Sequence, residues 1–126
     1  MSLRVDEQLR LRVHVETHDD RSIVRLIGPI AAHDVGTLRS ALERAEASGA
    51  REIVVDLRLV PVLSSSGVSA LLIGARRLGP ERRLLLARPC EMVRRVCEVT
   101  GLTRFVGLAD QLSPELETSS ELADYR

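Results

Sequence analysis

Three consecutive serines, Ser64, Ser65 and Ser66, are the residues of this sequence whose types and spacing most clearly allow chemistry, and Gly67 follows them. The apolar run before them predicts a buried strand, and apolar spacings of three and four after them predict an amphipathic helix. A hydroxyl at the start of a helix can cap unpaired backbone N–H groups. A phosphate is also electrostatically favourable there. This serine turn, residues 64–67, is therefore either a helix cap or a phosphoryl acceptor, and sequence physics alone favours the cap.

A hydrolytic nucleophile is a weaker interpretation of the same serines. The nucleophile elbow G-x-S-x-G needs glycine on both sides of its serine, whereas Val62 and Leu63 precede this turn. Only His33 lies in a loop that could bring a base towards it. A P-loop is excluded, because the sequence has no G-x-x-x-x-G-K-[ST] motif and no lysine. We therefore expect no enzymatic activity and no bound cofactor.

The cysteines and histidines do not have the spacing of a ligand set. Cys90 and Cys97 are seven positions apart in a helical pattern, which separates them by about 10 Å and prevents a disulfide. We interpret both as partly buried side chains on one helix. His14 falls on the polar face of a strand and His18 in a turn, so neither is expected to form a metal site with His33.

The composition indicates a globular protein that is not exported. The chain has 126 residues, of which 44% are hydrophobic and 29% charged, and no apolar run is long enough to cross a bilayer. Its net charge is zero and only 2% of its residues are aromatic, which argues against nucleic-acid binding. The charged N-terminus lacks an apolar signal region, so we expect a cytoplasmic location. All 18 basic residues are arginine, which we interpret as the codon bias of a GC-rich bacterial genome.

Alternating strands and helices surround the serine turn in the predicted α/β fold. The apolar patterns predict five strands, at residues 9–16, 22–27, 52–57, 82–87 and 103–108. The first two form a hairpin, and the third, apolar without alternation, is expected to be a central strand covered on both faces. The order β-β-α-β-α-β-α-β predicts a mixed sheet packed against helices.

Three helices are expected between these strands. The first begins near His33 or Asp34, either of which could cap it, and stops at Ser48-Gly49. The second follows the serines and ends at Arg76-Arg77, whose charges suit the negative end of a helix. The third follows Pro89 and buries one stripe of apolar residues: Met92, Val93, Val96 and Cys97.

We expect residues 1–126 to form one domain. Its core should span about residues 9–112, because the apolar periodicity ends there. The remaining segment, residues 113–126, is acidic and polar, and it allows either one further helix or a frayed end.

The stretch 55–68, V-D-L-x-x-V-P-x-L-S-S-S-G-V, resembles the signature of the STAS domain of anti-sigma factor antagonists. Residues 28–42 are similar to that family's loop and first helix, and Thr100-Gly101-Leu102 leading to Phe105 is similar to a later part. The resemblance implies a STAS-like single domain that binds an anti-sigma factor acting as a serine kinase. It also implies that phosphorylation at the start of the second helix breaks this complex, and that a serine phosphatase resets it.

The resemblance assigns roles to individual residues. Alignment on Ser66 and Gly67 places the phosphoacceptor at Ser65, with Ser64, Ser66 and Gly67 as its neighbours. Gly67 would allow close approach of a partner's backbone. The same alignment implies a partner-binding surface that includes four further residues: Ile30, His33, Asp34 and Val68.

Two positions depart from the family's pattern and support an alternative. Ser64 and Ala31 stand where the family tends to carry aspartates. One hypothesis is therefore a phosphorylation-controlled, partner-switching antagonist that is a monomer or a weak dimer. The alternative is a non-phosphorylated STAS scaffold in a larger signalling or lipid-transport assembly. Incubation with a candidate kinase and ATP would distinguish the two.

Overall fold

The computed structural model describes residues 10–110, and every structural statement below concerns that part of the chain. Its strands are β1 (Arg12–His18), β2 (Arg21–Ile27), β3 (Glu52–Leu59), β4 (Arg83–Ala87) and β5 (Gly107–Ala109). Its α-helices are α1 (Val35–Ala47), α2 (Ser65–Arg77) and α3 (Glu91–Val99). Short 3-10 helices at Ala32–Asp34 and Leu102–Arg104 precede α1 and β5. The predicted order of strands and helices is confirmed.

The strands form one five-stranded mixed sheet in chain order, β1-β2-β3-β4-β5. β1 and β2 are an antiparallel hairpin, and the remaining neighbours are parallel. Each parallel connection steps one strand in the same direction. Because such connections are right-handed, all three helices lie on one face of the sheet with their N-termini at the same rim.

The main core fills the space between the helices and this face of the sheet. Leu38 of α1, Leu71 of α2 and Val93 of α3 are fully buried against apolar side chains of the central strands. Burying a side chain of this kind contributes about 1.5–3 kcal/mol relative to leaving it exposed. The core thereby fixes α2, and with it the serine turn, relative to the sheet.

The opposite face of the sheet contains a buried ionic network that the apolar pattern of β3 did not reveal. Arg25 and Asp56 are each 2% exposed. Asp56 Oδ2 lies 2.9 Å from Arg88 Nη2 and 3.9 Å from Arg25 Nε. Arg25 also pairs with Glu16 of β1. The ion pairs therefore connect β1, β2, β3 and the end of β4.

The opening hairpin has a shorter turn than its polar sequence predicts. β1 continues to His18, and only Asp19 and Asp20 connect it to Arg21. Asp19 has a φ of 54°, a left-handed conformation that aspartate tolerates better than most residues. The turn is therefore two residues long.

The strand predicted at residues 103–108 is wrong in position. A left-handed Gly101, with a φ of 82°, leads into the 3-10 helix, where the Phe105 N–H donates to the Leu102 carbonyl over 2.9 Å. This turn buries Leu102 and Val106 and leaves Phe105 exposed. β5 is consequently reduced to three residues.

Two expectations about α3 are also wrong. Met92 is exposed, because Val93 and Cys97 alone occupy the centre of the buried face. Cys90 is exposed because it is the extended N-cap that precedes the helix, not a residue of its buried stripe. Cys97 is fully buried, and burial raises the pKa of its thiol. Both cysteines are free thiols.

The expected single-domain organisation stays a prediction, and the further helix proposed for residues 113–126 lies outside the described residues. None of the helices within residues 10–110 combines the length and the apolar character needed to span a membrane.

Candidate functional site

The serine turn lies where β3 passes over the rim of the sheet into α2. Ser64 is the N-cap, with an extended backbone, and its Oγ accepts the N–H of Gly67 over 3.1 Å. Ser65 is the first residue of α2 and is exposed, whereas Ser66 is half-buried. The structure therefore divides the two functions suggested by the sequence: Ser64 caps the helix, and the neighbouring Ser65 offers a hydroxyl to solvent.

The loop after β2 holds the serine turn in place through backbone hydrogen bonds. The Ile30 N–H donates to the Val62 carbonyl, and the Ser64 N–H donates to the Ile30 carbonyl, each over 2.9 Å. Ile30 and Leu63 thus form an isolated parallel bridge. The position of Ser65 is consequently fixed by two connected loops, and not only by its own helix.

Gly67 leaves space beneath the serine turn for the side chains of Leu63 and Ile30. A Cβ atom at this position would lie 2.7 Å from Leu63 Cδ1 and 2.9 Å from Ile30 Cγ2. Gly67 is also buried. Close packing of these two side chains beneath the serine turn therefore uses the space at Gly67, and the approach of a partner's backbone stays a prediction.

The four expected partner-binding residues differ in exposure. Ile30 is fully buried, Val68 is 8% exposed and Asp34 is 4% exposed. Only His33 presents its side chain to solvent, with 72% of it exposed. Among these four, His33 is therefore the residue available for direct contact, and the other three lie beneath the surface.

Asp34 has an internal structural role. Its carboxylate accepts the Ala31 N–H over 2.9 Å and the Leu11 N–H over 3.4 Å. It makes no side-chain hydrogen bond to the first turn of α1, so the expected capping of that helix is wrong. The carboxylate instead stabilises the turn that leads into α1, since it bonds to backbone groups before the helix.

The serine turn belongs to an uncharged segment, since no residue between Arg58 and Arg76 is acidic, basic or histidine. A phosphate on Ser65 would introduce the first charge into that segment. No side chain of the segment could act as a base towards the Ser65 hydroxyl. The segment itself therefore supplies hydroxyl groups and no general base.

A wider cleft, of about 780 Å³, lies near the β1–β2 turn and the start of β4. Three of its charged residues satisfy one another. Arg21 Nε and Arg83 Nε each donate to Glu52 over 2.9 Å. Burial alone would raise the pKa of Glu52, but hydrogen bonds and charge from Arg83 and Arg21 outweigh it and lower the pKa. We therefore do not assign this cleft to a ligand, and residues 10–110 hold no cluster of side chains suited to a metal ion.

A second groove, of about 340 Å³, lies between α1 and α2 and includes Ser66 in its lining. This groove could not be predicted from the sequence, because it depends on the packing of two helices. The signal in the sequence was the spacing of Ser66, Ser69 and Ile73, which places them on one side of α2. Ile73 is a large apolar residue that is 58% exposed on that side.

The STAS domain model matches residues 12–119. The chain therefore belongs to the STAS domain family. No curated protein matches it.

Solved structures support this assignment. The chain is similar to an anti-sigma factor antagonist from Mycobacterium paratuberculosis, with a TM-score of 0.76 and 28% identity over 84% of this chain and 91% of that one. It is also similar to the Bacillus cell fate determinant SpoIIAA in its phosphorylated form, with a TM-score of 0.65 and 25% identity over 83% and 96%. The anti-sigma factor antagonist SpoIIAA in its unphosphorylated form matches with a TM-score of 0.65 and 23% identity over 83% and 94%. The fold is thus that of STAS-type anti-sigma factor antagonists.

Proposed function

We propose that this protein is an anti-sigma factor antagonist of the bacterial cytoplasm, controlled by phosphorylation of Ser65. It acts by binding an anti-sigma factor that is also a serine kinase, and it has no catalytic activity of its own. The observation that carries this proposal is the exposed Ser65 at a rigid strand-to-helix turn, in a chain with the fold of anti-sigma factor antagonists.

The switch follows from the change of charge at Ser65. The kinase transfers the γ-phosphoryl group of ATP: a bond forms between Ser65 Oγ and phosphorus, the bond to the β,γ-bridging oxygen breaks, and ADP leaves. The hydroxyl proton passes to a base of the kinase. The phosphate adds about 1.5 to 2 negative charges to a turn whose own segment, residues 59–75, carries none. A charge buried against a partner without a counter-ion is unfavourable, so the complex separates. A serine phosphatase restores the hydroxyl.

The neighbouring residues position this hydroxyl. Ser64 caps α2, and Gly67 lets Ile30 pack beneath the turn. His33 contributes an exposed side chain from the 3-10 helix beside α2. Asp34 acts indirectly, because it bonds to the backbone of the turn that contains His33. Ser66, which is half-buried, continues the surface into α2, whereas Val68 supports it from beneath and is almost completely buried.

A scaffold function is the second candidate, in which the domain binds its partners without phosphorylation. Two observations favour it. Ser64 and Ala31 supply no carboxylate beside Ser65, and the Ser64 hydroxyl is already engaged with the Gly67 N–H. In this case the serine turn would serve only to cap and position α2.

The decisive experiment is incubation with ATP and a candidate anti-sigma kinase, followed by mass spectrometry of the modified residue. We expect one phosphate on Ser65 and none on a Ser65→Ala variant. Phosphate found only on Ser64 or Ser66 would refute the assignment of Ser65. No phosphate on any of the three, with the kinase still bound, would establish the scaffold function instead.

Binding measurements complete the test. Ser65→Ala should retain the anti-sigma factor in the presence of ATP, since it loses only an exposed hydroxyl. Ser65→Glu should bind more weakly, while its unfolding transition stays close to that of the unmodified protein. Loss of affinity together with loss of folding would contradict an effect confined to the partner surface.

A further inference from the structure

The groove between α1 and α2 opens at the serine turn and is closed at its other end. Ser66 and Ser69 line it near the N-terminus of α2. At the far end, Arg77 of α2 lies 3.1 Å from Glu46 and 3.6 Å from Glu43 of α1. These ion pairs bridge the two helices, so an occupant would enter from the side of the serine turn or from solvent above.

The floor of the groove is apolar. Ala70 and Leu42 are buried in it, and Val35 is half-buried. A Cβ atom at Gly74 would lie 3.1 Å from Leu42 Cδ1, so the two helices approach closely beneath the groove. Above this floor Ile73 is 58% exposed. The groove therefore offers an apolar contact that residues 10–110 leave uncovered.

Arg39 is the charged residue of the groove whose guanidinium remains available to a binding partner. Arg77 is paired with two glutamates, whereas Arg39 forms no ion pair within residues 10–110. Helical side chains tilt towards the N-terminus of their helix, and α1 and α2 both begin at the same rim of the sheet. Arg39 is therefore the charged groove residue nearest to the end that contains Ser66, and no acidic residue lines the groove before it on α1.

We propose that this groove binds an amphipathic helix of the anti-sigma factor, with an apolar side chain on Ile73 and a carboxylate on Arg39. The proposal rests on the proposed function and identifies the part of the partner that is recognised. Charge complementarity selects an acidic segment, since the only unpaired charge in the groove within residues 10–110 is the guanidinium of Arg39. An apolar helix face suits the floor formed by Ala70 and Leu42.

The groove also connects partner binding to phosphorylation. Ser65 lies one residue before Ser66 and one helical turn before Ser69, both of which line the groove. A phosphate there would repel a carboxylate held by Arg39 and would compete with it for the same guanidinium. Phosphorylation would thus weaken the complex even where the phosphate itself is not buried.

The test compares variants that differ only in their place on the surface. Binding of the purified anti-sigma kinase to the full chain is measured by calorimetry for Arg39→Gln and for Arg44→Gln, an exposed arginine of the same helix that does not line the groove. Ile73→Ser is compared with Met92→Ser, since both residues are exposed apolar side chains and Met92 lies on α3. We expect at least about tenfold weaker binding for Arg39→Gln and Ile73→Ser, and less than about twofold for the controls. Arg39→Gln should also make the affinity less dependent on salt.

The outcomes separate this inference from the proposed function. If all four variants bind like the unmodified protein, the groove is not the docking site, although the antagonist function stands. If the unmodified protein does not bind the kinase, the proposed function fails and this inference fails with it. If Arg39→Gln and Ile73→Ser instead abolish self-association in sedimentation while the kinase binds unchanged, the occupant is a second copy of the chain and the inference is overturned.

Discussion

Nη2 of Arg88 lies 2.9 Å from Oδ2 of Asp56, on the sheet face opposite the helices. Asp56 is almost completely buried, as is Arg25, whose Nε lies 3.9 Å from the same oxygen. The Asp56 carboxylate also accepts the Arg58 N–H over 3.1 Å, which fixes its orientation. Because each of these cations has been removed from water, the network depends on the presence of the Asp56 charge.

We predict that Asp56→Asn lowers the free energy of unfolding by up to about 3–5 kcal/mol, because Arg88 loses this carboxylate and Arg25 keeps its pair with Glu16 only. Urea denaturation measures this change. Arg94→Gln is the control, since its pair with Asp110 is exposed and should contribute less than about 1 kcal/mol. Equal effects of the two substitutions would show that the buried network is not a major source of stability.

Gly67→Ala should destabilise the protein by about 1–3 kcal/mol, since the added methyl group overlaps Leu63 and Ile30. Gly36→Ala is the matched control: it lies in α1, and a Cβ atom there meets nothing within 4 Å. The control should raise stability by about 0.5–1 kcal/mol through reduced backbone entropy of the unfolded chain. Thermal or urea unfolding of both variants checks the prediction, and a stabilising Gly67→Ala would refute the close packing.

Ser64→Ala should cost about 0.5–2 kcal/mol, because Gly67 loses the oxygen that accepts its N–H. Amide hydrogen exchange should show faster exchange at Gly67. Ser40→Ala, at an exposed position within α1, should change neither quantity appreciably. Unaltered exchange at Gly67 in the Ser64 variant would mean that the cap does not protect this amide.

Acid stability should depend on Glu52, whose pKa in the folded protein is below its ordinary value of 4.5. A carboxyl group with a lowered folded pKa contributes stability above its unfolded pKa, and loses that contribution as the pH falls through the folded value. Urea midpoints measured below about pH 4.5 should therefore decrease less steeply for Glu52→Gln. Ser40→Ala, an exposed substitution that removes no ionisable group, should leave the slope unchanged. Identical slopes for the Glu52 variant and the unmodified protein would contradict this assignment.

The elements that follow from local patterns were predictable from the sequence. The spacing after the serines and the terminal Arg76-Arg77 define α2, whose observed end is Arg77. The strand predicted at residues 103–108 failed because Phe105 and Val106 have strand-like side chains, whereas the backbone is set by the left-handed Gly101. A local apolar pattern could not show that the turn at Gly101 replaces an extended strand with a 3-10 helix.

The parts of the site that depend on distant residues could not be predicted in the same way. The cap at Ser64 is local, but the pairing of Ile30 with Leu63 joins two loops separated by a helix and a strand. Likewise, the sequence identifies Arg39 only as an exposed helical residue. Its place in a groove depends on the packing of α2 against α1. The ion pair of Asp56 could not be predicted from the apolar run that contains it. Its partner, Arg88, is separated from it in the sequence by a whole helix and a strand.

The chain-order arrangement of the sheet has a consequence for folding kinetics. Each strand pairs only with its neighbours in sequence, as in Arg21 with Glu52 and Glu52 with Arg83. The loops that must close are therefore about thirty residues long at most, which favours rapid folding among mixed α/β domains. The backbone hydrogen bonds at the serine turn involve only the loop after β2, the loop after β3 and the start of α2. These hydrogen bonds can thus form in a nascent chain before β5 has been added to the sheet.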